Sequence, residues 1–403
     1  MACGRAPVNA RLAVTASAAT LVLLATGCAG HAAKATDSGP RPARPAPVTA
    51  AAAITGARLA RFEPVAASFV SPGSGWALGR IGCLSCTALA RTADGGRRWR
   101  LLPAPPAPVT VGSAAGGGIS GVAFADASNG FAYGPGLLAT HNGGRSWTRL
   151  LLPPVSELVL AGGRAYAITI TPRTLAARLW RTVIGSRRWT RLPLPPGLRP
   201  AQPDAGPGHL VLSAQAGTLA LLQQGSARIT STARMTGRLW ISTTKGTTWR
   251  ARPVPCRAPG GGGATVMSIA VGHPDAWLLD CFDNEESSQE QNTRQVLFGS
   301  VNGGRSWLRL PGPPQHNLPE LLADNGSGHA FLATLGAADS MAGTFDRGSR
   351  WQAVVFSGGS FSGWADLSFL DARTGYVVGP VSYPPSHLYR TDDGGRTWAA
   401  VRF

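Results

Sequence analysis

Seven of the 12 tryptophans close a recurring eight-residue segment, and this recurrence constrains the fold more than any other feature of the 403-residue chain. Ser or Thr stands seven positions before each of them, and Gly stands three positions before six, with Ser186 in the remaining copy. Their spacing of 48, 42, 60, 58, 44 and 47 residues indicates seven equivalent units in one repetitive domain. The closing residues are Trp99, Trp147, Trp189, Trp249, Trp307, Trp351 and Trp398.

Each segment has the composition of a tight turn. Five positions before the Trp, most copies carry Asp or Asn, whose side chain accepts hydrogen bonds from nearby backbone N–H groups, while Gly supplies the positive φ that such turns need. The residues at this position are Asp94, Asn142, Ile184, Thr244, Asn302, Asp346 and Asp393. We therefore predict a hairpin turn in each unit, with an irregular turn in the third copy, which lacks both the carboxylate and the aligned Gly.

Short apolar runs before each segment supply the other strands of a unit. The 52 Gly and 32 Pro residues make turns frequent and long helices improbable. In the last unit, apolar runs at 367–369, 375–379 and 388–390 precede the turn, and a fourth strand follows its Trp. Residues 59–403 divided among seven units give about 49 residues each, as expected of four-stranded propeller blades.

The segments resemble the Asp-box, or BNR, repeat, and residues 391–398 form the cleanest copy. The chain is similar to the non-catalytic seven-bladed BNR propellers of the photosystem II stability/assembly factor type, and more distantly to the sialidase-like superfamily. This resemblance implies an all-β, seven-bladed β-propeller with four-stranded antiparallel blades over residues 59–403, in which each box joins the third and fourth strands. Because the last unit contains all four of its strands, we expect the ring to close without strand exchange, although residues 54–62 could add a strand.

The N-terminal segment is typical of an export signal. Arg5 and Arg11 precede an apolar run at 12–25, and the sequence Ala-Thr-Gly-Cys follows at 25–28. This resembles a bacterial lipoprotein signal, so we predict a signal peptide at 1–27 and lipidation of Cys28. Ala25 stands where that motif usually carries Leu, and plain secretion is the alternative.

Residues 28–58 are rich in Ala and Pro and lack the apolar content to build a core. We expect a disordered tether that places the propeller at the extracellular face of the cell membrane, or a secreted protein if Cys28 is not lipidated. The sequence has no stretch of 18 or more apolar residues, the length that would predict a membrane-spanning helix.

Four cysteines remain after Cys3 and Cys28, and export permits disulfides among them. Cys256 precedes the fifth unit and Cys281 begins its long loop, which places both on one side of one blade and predicts a disulfide between them. Cys83 and Cys86 form a CxxC that we interpret as a small loop disulfide, with a metal half-site or a redox pair as alternatives. We expect no bound metal and no cofactor.

The formal net charge of +18 comes from 38 basic and 20 acidic residues. About half of the basic residues flank the boxes, so the charge is spread around the rim. Arg149, Arg191 and Arg309 lie two residues after their tryptophans, where charge discourages edge-to-edge pairing of outer strands. This charge is explained either by solubility and protection of the outer strands or by attraction to an anionic partner. The export signal and the lack of a nucleic-acid-binding motif argue against nucleic acid as that partner.

Topology indicates which face carries function. In a four-stranded blade the box and the turn between strands one and two share one rim, so the variable loops at 80–86, 171–178, 224–237, 281–295 and 380–387 share the other. The neighbouring basic and acidic loops of the fourth and fifth units could pair with each other, or bind a partner or a cation. The candidate binding residues are Arg80, Arg173, Arg228, Arg234, Glu285, Glu286, Tyr383 and His387.

Sialidases combine an arginine triad, a Tyr/Glu pair, an acidic residue and a Phe/Tyr-Arg-Ile-Pro motif, and the chain has no such motif, since residues 61–64 read Arg-Phe-Glu-Pro. The chain has only six Glu, and three of them stand in one loop. We therefore predict a monomeric, non-catalytic binding or assembly scaffold for a protein or an anionic cell-surface polymer. A sialidase-like or other glycoside hydrolase is the alternative.

Overall fold

A computed structural model describes residues 59–110, 118–198, 210–215, 217–224, 237–256, 264–273, 276–284, 293–313, 318–335, 340–354, 356, 363–379 and 385–403. The predicted signal peptide, Cys28 and the tether lie outside these residues. Every named element in the described part of the chain is a β-strand, and together they form seven four-stranded sheets.

The first four blades are built in chain order. Their strands are β1 (Phe62–Phe69), β2 (Gly75–Ile81), β3 (Thr87–Thr92), β4 (Arg100–Leu102), β5 (Gly121–Phe124), β6 (Gly130–Tyr133), β7 (Leu137–Thr140), β8 (Thr148–Arg149), β9 (Val155–Ala161), β10 (Arg164–Ile170), β11 (Ala177–Val183), β12 (Thr190–Leu192), β13 (Leu210–Gln215), β14 (Thr218–Gln223), β15 (Arg238–Ser242) and β16 (Arg250–Arg252).

The last three blades follow the same plan. Their strands are β17 (Ala264–His273), β18 (Ala276–Asn284), β19 (Thr293–Ser300), β20 (Leu308–Arg309), β21 (Leu318–Asp324), β22 (Ala330–Leu335), β23 (Ser340–Thr344), β24 (Gln352–Val354), β25 (Asp366–Phe369), β26 (Gly375–Gly379), β27 (His387–Thr391) and β28 (Ala399–Ala400).

Every sheet is antiparallel and uses four consecutive strands, which confirms the predicted seven-bladed propeller. Among the described residues no strand is shared between the first and last blades, and Phe62 begins β1 itself. Six clusters of buried apolar side chains connect successive blades, and the cluster that joins blades 7, 1 and 2 closes the ring. Burial of apolar surface between sheets is thus the main source of stability.

The boxes form the predicted hydrogen-bonded turns. In the seventh box Thr391 Oγ1 accepts the N–H of Gly395 at 2.8 Å and donates to Asp393 Oδ1 at 2.8 Å, and that oxygen accepts the N–H of Thr397 at 2.9 Å. The bond from the glycine N–H to the hydroxyl recurs at 2.8–2.9 Å in six boxes, which shows that one local design is repeated.

The third box departs from this design, as its sequence predicts. Thr182 Oγ1 donates to the carbonyl of Arg188 at 2.9 Å instead of accepting a glycine N–H. In the fourth and sixth boxes the residue before the aligned Gly is Lys245 and Arg347, respectively, and these two residues adopt φ values of 57° and 60°. A side chain with a Cβ is strained in this left-handed region.

The box turns and the turns between strands one and two lie on the same rim, here called the box rim. In blade 1 the N–H of Gly95 donates to the carbonyl of Gly73 at 2.8 Å, and in blade 7 the N–H of Gly394 donates to the carbonyl of Arg373 at 2.7 Å. The loops between strands two and three and the connections between blades therefore lie on the opposite rim, here called the loop face.

Arginines also connect neighbouring blades on the box rim. Arg181 Nη1 donates to the carbonyl of Lys245 at 3.0 Å, and Arg252 Nε donates to the carbonyl of Gly303 at 3.0 Å. Each bond joins one blade to the box of the next. Part of the basic charge around the boxes thus has a structural role besides any effect on solubility.

Candidate functional site

A groove of about 740 Å³ opens on the loop face between blades 1 and 7. The start of β1, the end of β2 with the loop that follows, the start of β27 and the C-terminal residues line it. This volume lies within the range of ordinary ligand sites, about 300–1,000 Å³. Of the predicted binding residues, Arg80 and His387 are brought together here.

Arg80 does not lie on a loop as predicted. Strand β2 continues to Ile81 because residues 62 to 64 pair with residues 79 to 81, and Arg80 stands opposite Glu63 in that register. Its side chain is buried, and its Nε lies 2.9 Å from Glu63 Oε2. Arg80 is therefore a buried partner of Glu63 rather than an exposed loop cation, since burial of an arginine requires a paired charge.

Aromatic rings form one wall of the groove. Phe62 and Phe403 lie with ring centroids 4.5 Å apart, and Phe403 lies 4.7 Å from Trp99, the tryptophan of the first box. Ser386 Oγ donates to the carbonyl of Pro64 at 2.6 Å, which holds the edge of blade 7 against blade 1. Phe62 and Trp99 are nearly buried, so Phe403 supplies most of the accessible aromatic surface of this wall, and contacts between the two blades hold it in place.

The rim of the groove carries positive charge. Arg61 and Arg402 are exposed, and the one acidic side chain of the lining, that of Glu63, faces Arg80. An anionic group approaching the groove therefore meets two solvated guanidinium groups over an apolar wall. Such a combination suits a ligand that carries both an acidic group and an apolar side chain.

The structure contains both disulfides expected from the sequence. Cys83 and Cys86 are joined in the exposed loop that borders the groove. Cys256 and Cys281 are joined in the core between blades 4 and 5. Cys281 lies within β18 rather than at the start of a loop, because that strand pairs with β19 as far as Asn284.

The other predicted binding residues are not at the groove. Arg173 is exposed in the turn between β10 and β11 of blade 3, on the loop face. The remaining candidates lie outside the described residues, so the expected pairing between the loops of blades 4 and 5 stays a prediction. These candidates are Arg228, Arg234, Glu285, Glu286 and Tyr383.

Sequence reasoning missed two carboxyl groups on innermost strands, Glu157 in β9 and Asp366 in β25. Burial raises the pKa of Glu157 to about 7 and that of Asp366 to about 7, although Asp366 Oδ2 accepts the N–H of Ala67 at 3.2 Å. Both carboxyls lie within electrostatic reach of Tyr133, and burial together with these charges raises the pKa of its phenol. The one signal in the sequence that could have revealed these buried carboxyl groups is the presence of an acidic residue inside an apolar strand segment.

Asp280 in β18 was also missed. Its side chain is fully buried, and neither of its carboxyl oxygens has a hydrogen-bond partner among the described residues. Ser268 stands directly opposite on β17, and its hydroxyl is also without a partner. Burial raises the pKa of Asp280 to about 8, so the acid is mostly neutral at pH 7.

Neither a metal centre nor a membrane span is found in the described part of the chain. No three His, Cys, Asp or Glu side chains there are grouped so as to hold a metal ion. No helix in those ranges has the length and apolar character needed to cross a membrane.

No protein-family model and no curated protein sequence matches the chain. Solved structures share its fold. YCF48 bound to D1 peptide is 17% identical with a TM-score of 0.54, covering 82% of this chain and 94% of that one. YCF48 from Cyanidioschyzon merolae is 15% identical with a TM-score of 0.54, covering 83% and 96%.

A puromycin-hydrolyzing peptidase of Mycobacterium tuberculosis is 12% identical with a TM-score of 0.55, covering 86% of this chain and 53% of that one. At such identities the likeness establishes the fold alone. At that level it agrees with the resemblance to seven-bladed BNR propellers indicated by the boxes.

Proposed function

We propose that this protein is a non-catalytic binding or assembly scaffold that holds an acidic segment of a protein partner in the groove between blades 1 and 7. The observation that carries the proposal is that Arg61 and Arg402 are exposed and line the same groove as the contacting rings of Phe62 and Phe403. Exposed charges at an interface steer partners of opposite sign, while aromatic surface supplies affinity.

A protein ligand is favoured over a polymer by the chemistry of the groove. Its wall combines aromatic rings with cations, whereas a purely anionic polymer needs only charge. YCF48, which shares the fold, has been solved bound to a D1 peptide, which supports a peptide as the ligand class. An anionic cell-surface polymer stays the alternative ligand.

We also propose that the protein is exported and held at the membrane by lipidation of Cys28. The positive N-terminus, the apolar run and the sequence Ala-Thr-Gly-Cys support this proposal. Metabolic labelling of cells with a palmitate analogue should label the wild type but not a Cys28→Ala variant. Labelling of both proteins would contradict lipidation at Cys28, and secretion of unlabelled wild type would contradict the membrane anchor.

The binding proposal is tested by charge reversal at the groove. The double variant Arg61→Glu with Arg402→Glu should lose the partners that wild-type protein retains after cross-linking in intact cells and mass spectrometry. The control reverses the same number of charges on exposed outer-strand residues of the box rim, Arg149→Glu with Arg309→Glu, and should retain those partners. Equal loss in both variants would mean that net charge, not the groove, determines binding.

One observation favours the glycoside hydrolase as a second candidate. Glycosidases need two carboxyl groups, one of them protonated near neutral pH; Glu157 and Asp366 both lie within electrostatic reach of Tyr133, and burial raises the pKa of each to about 7. Fluorogenic sialosides and other glycosides test this candidate. Turnover that disappears in Glu157→Gln and Asp366→Asn, or in Glu285→Gln and Glu286→Gln, would replace the scaffold by an enzyme. Lack of turnover above the buffer rate supports the scaffold.

A further inference from the structure

The two disulfides have opposite surroundings. Cys256 and Cys281 are 1% and 0% exposed and pack among the apolar side chains between blades 4 and 5. Cys83 and Cys86 are both exposed, in a loop whose tip, Leu84, is 71% exposed. Thiolates attack disulfides only where a sulfur is accessible, so only the second bond is open to exchange in the folded protein.

The Cys83–Cys86 bond also constrains little of the chain. It joins residues three apart, whereas Cys256 and Cys281 are 25 apart, and the entropic stabilisation by a disulfide grows with the length of the loop it closes. The loop has its own backbone bonds, because the N–H of Ile81 donates to the carbonyl of Cys86 and the N–H of Cys86 donates to the carbonyl of Cys83, both at 3.2 Å. The fold therefore does not depend on this disulfide.

We propose that Cys83 and Cys86 form a site of thiol–disulfide exchange whose co-reactant is an external dithiol. Cys83 Sγ lies 3.9 Å from Ser85 Oγ, and a thiolate at Cys83 would accept a hydrogen bond from that hydroxyl. Because a stabilised thiolate is the better leaving group, the attack falls on Cys86.

The electrons and atoms balance as follows. A thiolate of the dithiol attacks Cys86 Sγ, the S–S bond breaks, and its electron pair leaves on Cys83 Sγ. The second thiol of the reductant, as thiolate, then attacks the reductant sulfur of the mixed disulfide and releases Cys86. Two electrons pass from the dithiol, which becomes a disulfide, to the two cysteines, which take up two protons.

Exchange would also regulate the groove, because Cys83 and Leu84 line it. This consequence rests on the proposed function, whereas the exchange itself does not. Reduction removes the covalent link that fixes the Leu84 tip against the loop. If reduction abolishes partner capture, the disulfide regulates the groove. If the bond is reduced and capture is unchanged, the exchange site stands but does not regulate the groove.

In the test, the folded protein is treated with dithiothreitol under native conditions. The thiols that are released are trapped by alkylation and identified by mass spectrometry. Alkylation at Cys83 and Cys86 should proceed at least tenfold faster than at Cys256 and Cys281, and Ser85→Ala should slow it several-fold without affecting the buried pair. Equal rates for both disulfides, or an exchange rate unchanged by Ser85→Ala, would overturn the proposed site. Circular dichroism before and after reduction verifies that the propeller stays folded.

Discussion

The guanidinium of Arg390 in the last blade donates a hydrogen bond of 2.7 Å to the carbonyl oxygen of Gly95 in the first box. The same nitrogen, Nη1, also donates to the carbonyl of Pro72 at 2.7 Å. The other two guanidinium nitrogens, Nε and Nη2, donate to Asp392 Oδ1 at 3.0 and 2.6 Å. The bonds from Nη1 join the last blade to the first blade. Ring closure in this propeller thus combines apolar packing with a charged donor instead of an exchanged strand.

Replacing Arg390 by Met should weaken that closure. The substitution leaves two carbonyl oxygens without their donor, and the expected loss in the free energy of unfolding is about 1–3 kcal/mol. Arg149→Met is the control, because the side chain of Arg149 is exposed and has no hydrogen-bond partner among the described residues, while its backbone pairing with Leu138 is kept. Its expected effect is within about 0.5 kcal/mol. Urea denaturation measures both, and equal effects would contradict a role of Arg390 in closure.

Lys245→Gly should stabilise the protein. Lys245 adopts a φ of 57°, where a residue with a Cβ is strained by roughly 1–2 kcal/mol, partly offset by the greater chain entropy of unfolded Gly. The bond from Arg181 to its backbone carbonyl is retained. We expect a rise in Tm for Lys245→Gly and almost none for Lys245→Ala, which keeps the Cβ. A rise in both would point to charge, not to backbone strain.

The box hydroxyls should differ in importance between regular and irregular boxes. Thr391→Val removes the acceptor of the Gly395 N–H and the donor to Asp393, and should cost about 2 kcal/mol because a buried N–H loses its partner. Thr391→Ser keeps both bonds and should cost much less. Thr182→Val in the third box removes a donor to carbonyl groups but leaves no N–H unpaired. Thermal unfolding should rank Thr391→Val as the most damaging, and a larger effect of Thr182→Val would contradict this account of the box.

Asp280 should make stability depend on pH. Its pKa is about 8 in the folded protein against an ordinary 3.8, so the folded state keeps a proton that the unfolded chain has lost. Folding stability therefore decreases as pH rises between about 4 and 8. Asp280→Asn cannot ionise and should make this decrease smaller, leaving the part that Glu157 and Asp366 contribute below about pH 7. Ser268→Ala, in contrast, leaves the acid in place and should retain the full decrease. Unfolding free energies at pH 5 and pH 8.5 measure the slope, and an unchanged slope in Asp280→Asn would assign it to other groups.

The fold could be predicted because the box is a local design. The bonds of Thr391 lie within five residues, so residue types at fixed offsets encode them, and seven copies leave few alternatives to a closed ring. The disulfide between Cys256 and Cys281 could be predicted because the assignment of strands to the fifth unit places both residues on one side of that blade. Contacts between blades have no such signature, because the bonded residues are distant in sequence: Arg181 and Lys245 are 64 residues apart and meet only in the folded protein.

The candidate site was predicted less completely. Arg80 was expected on a loop because the end of β2 is decided by pairing with β1, which the local sequence does not show. Glu157 and Asp366 could not be recognised as buried, because their burial depends on packing between blades, which the local sequence does not show. The loop face was identified from topology, but the groove itself depends on how the last and first blades meet.

The central claim, that partners bind at the loop face beside blades 1 and 7, is tested most directly by photo-cross-linking from two matched positions. Leu84 borders the groove and Leu308 lies beside the box of blade 5, and both side chains are 71% exposed. A photoreactive amino acid at Leu84 should capture a discrete partner in intact cells, while the same residue at Leu308 should capture none. Capture at Leu308 alone, or of the same proteins at both positions, would contradict the claim.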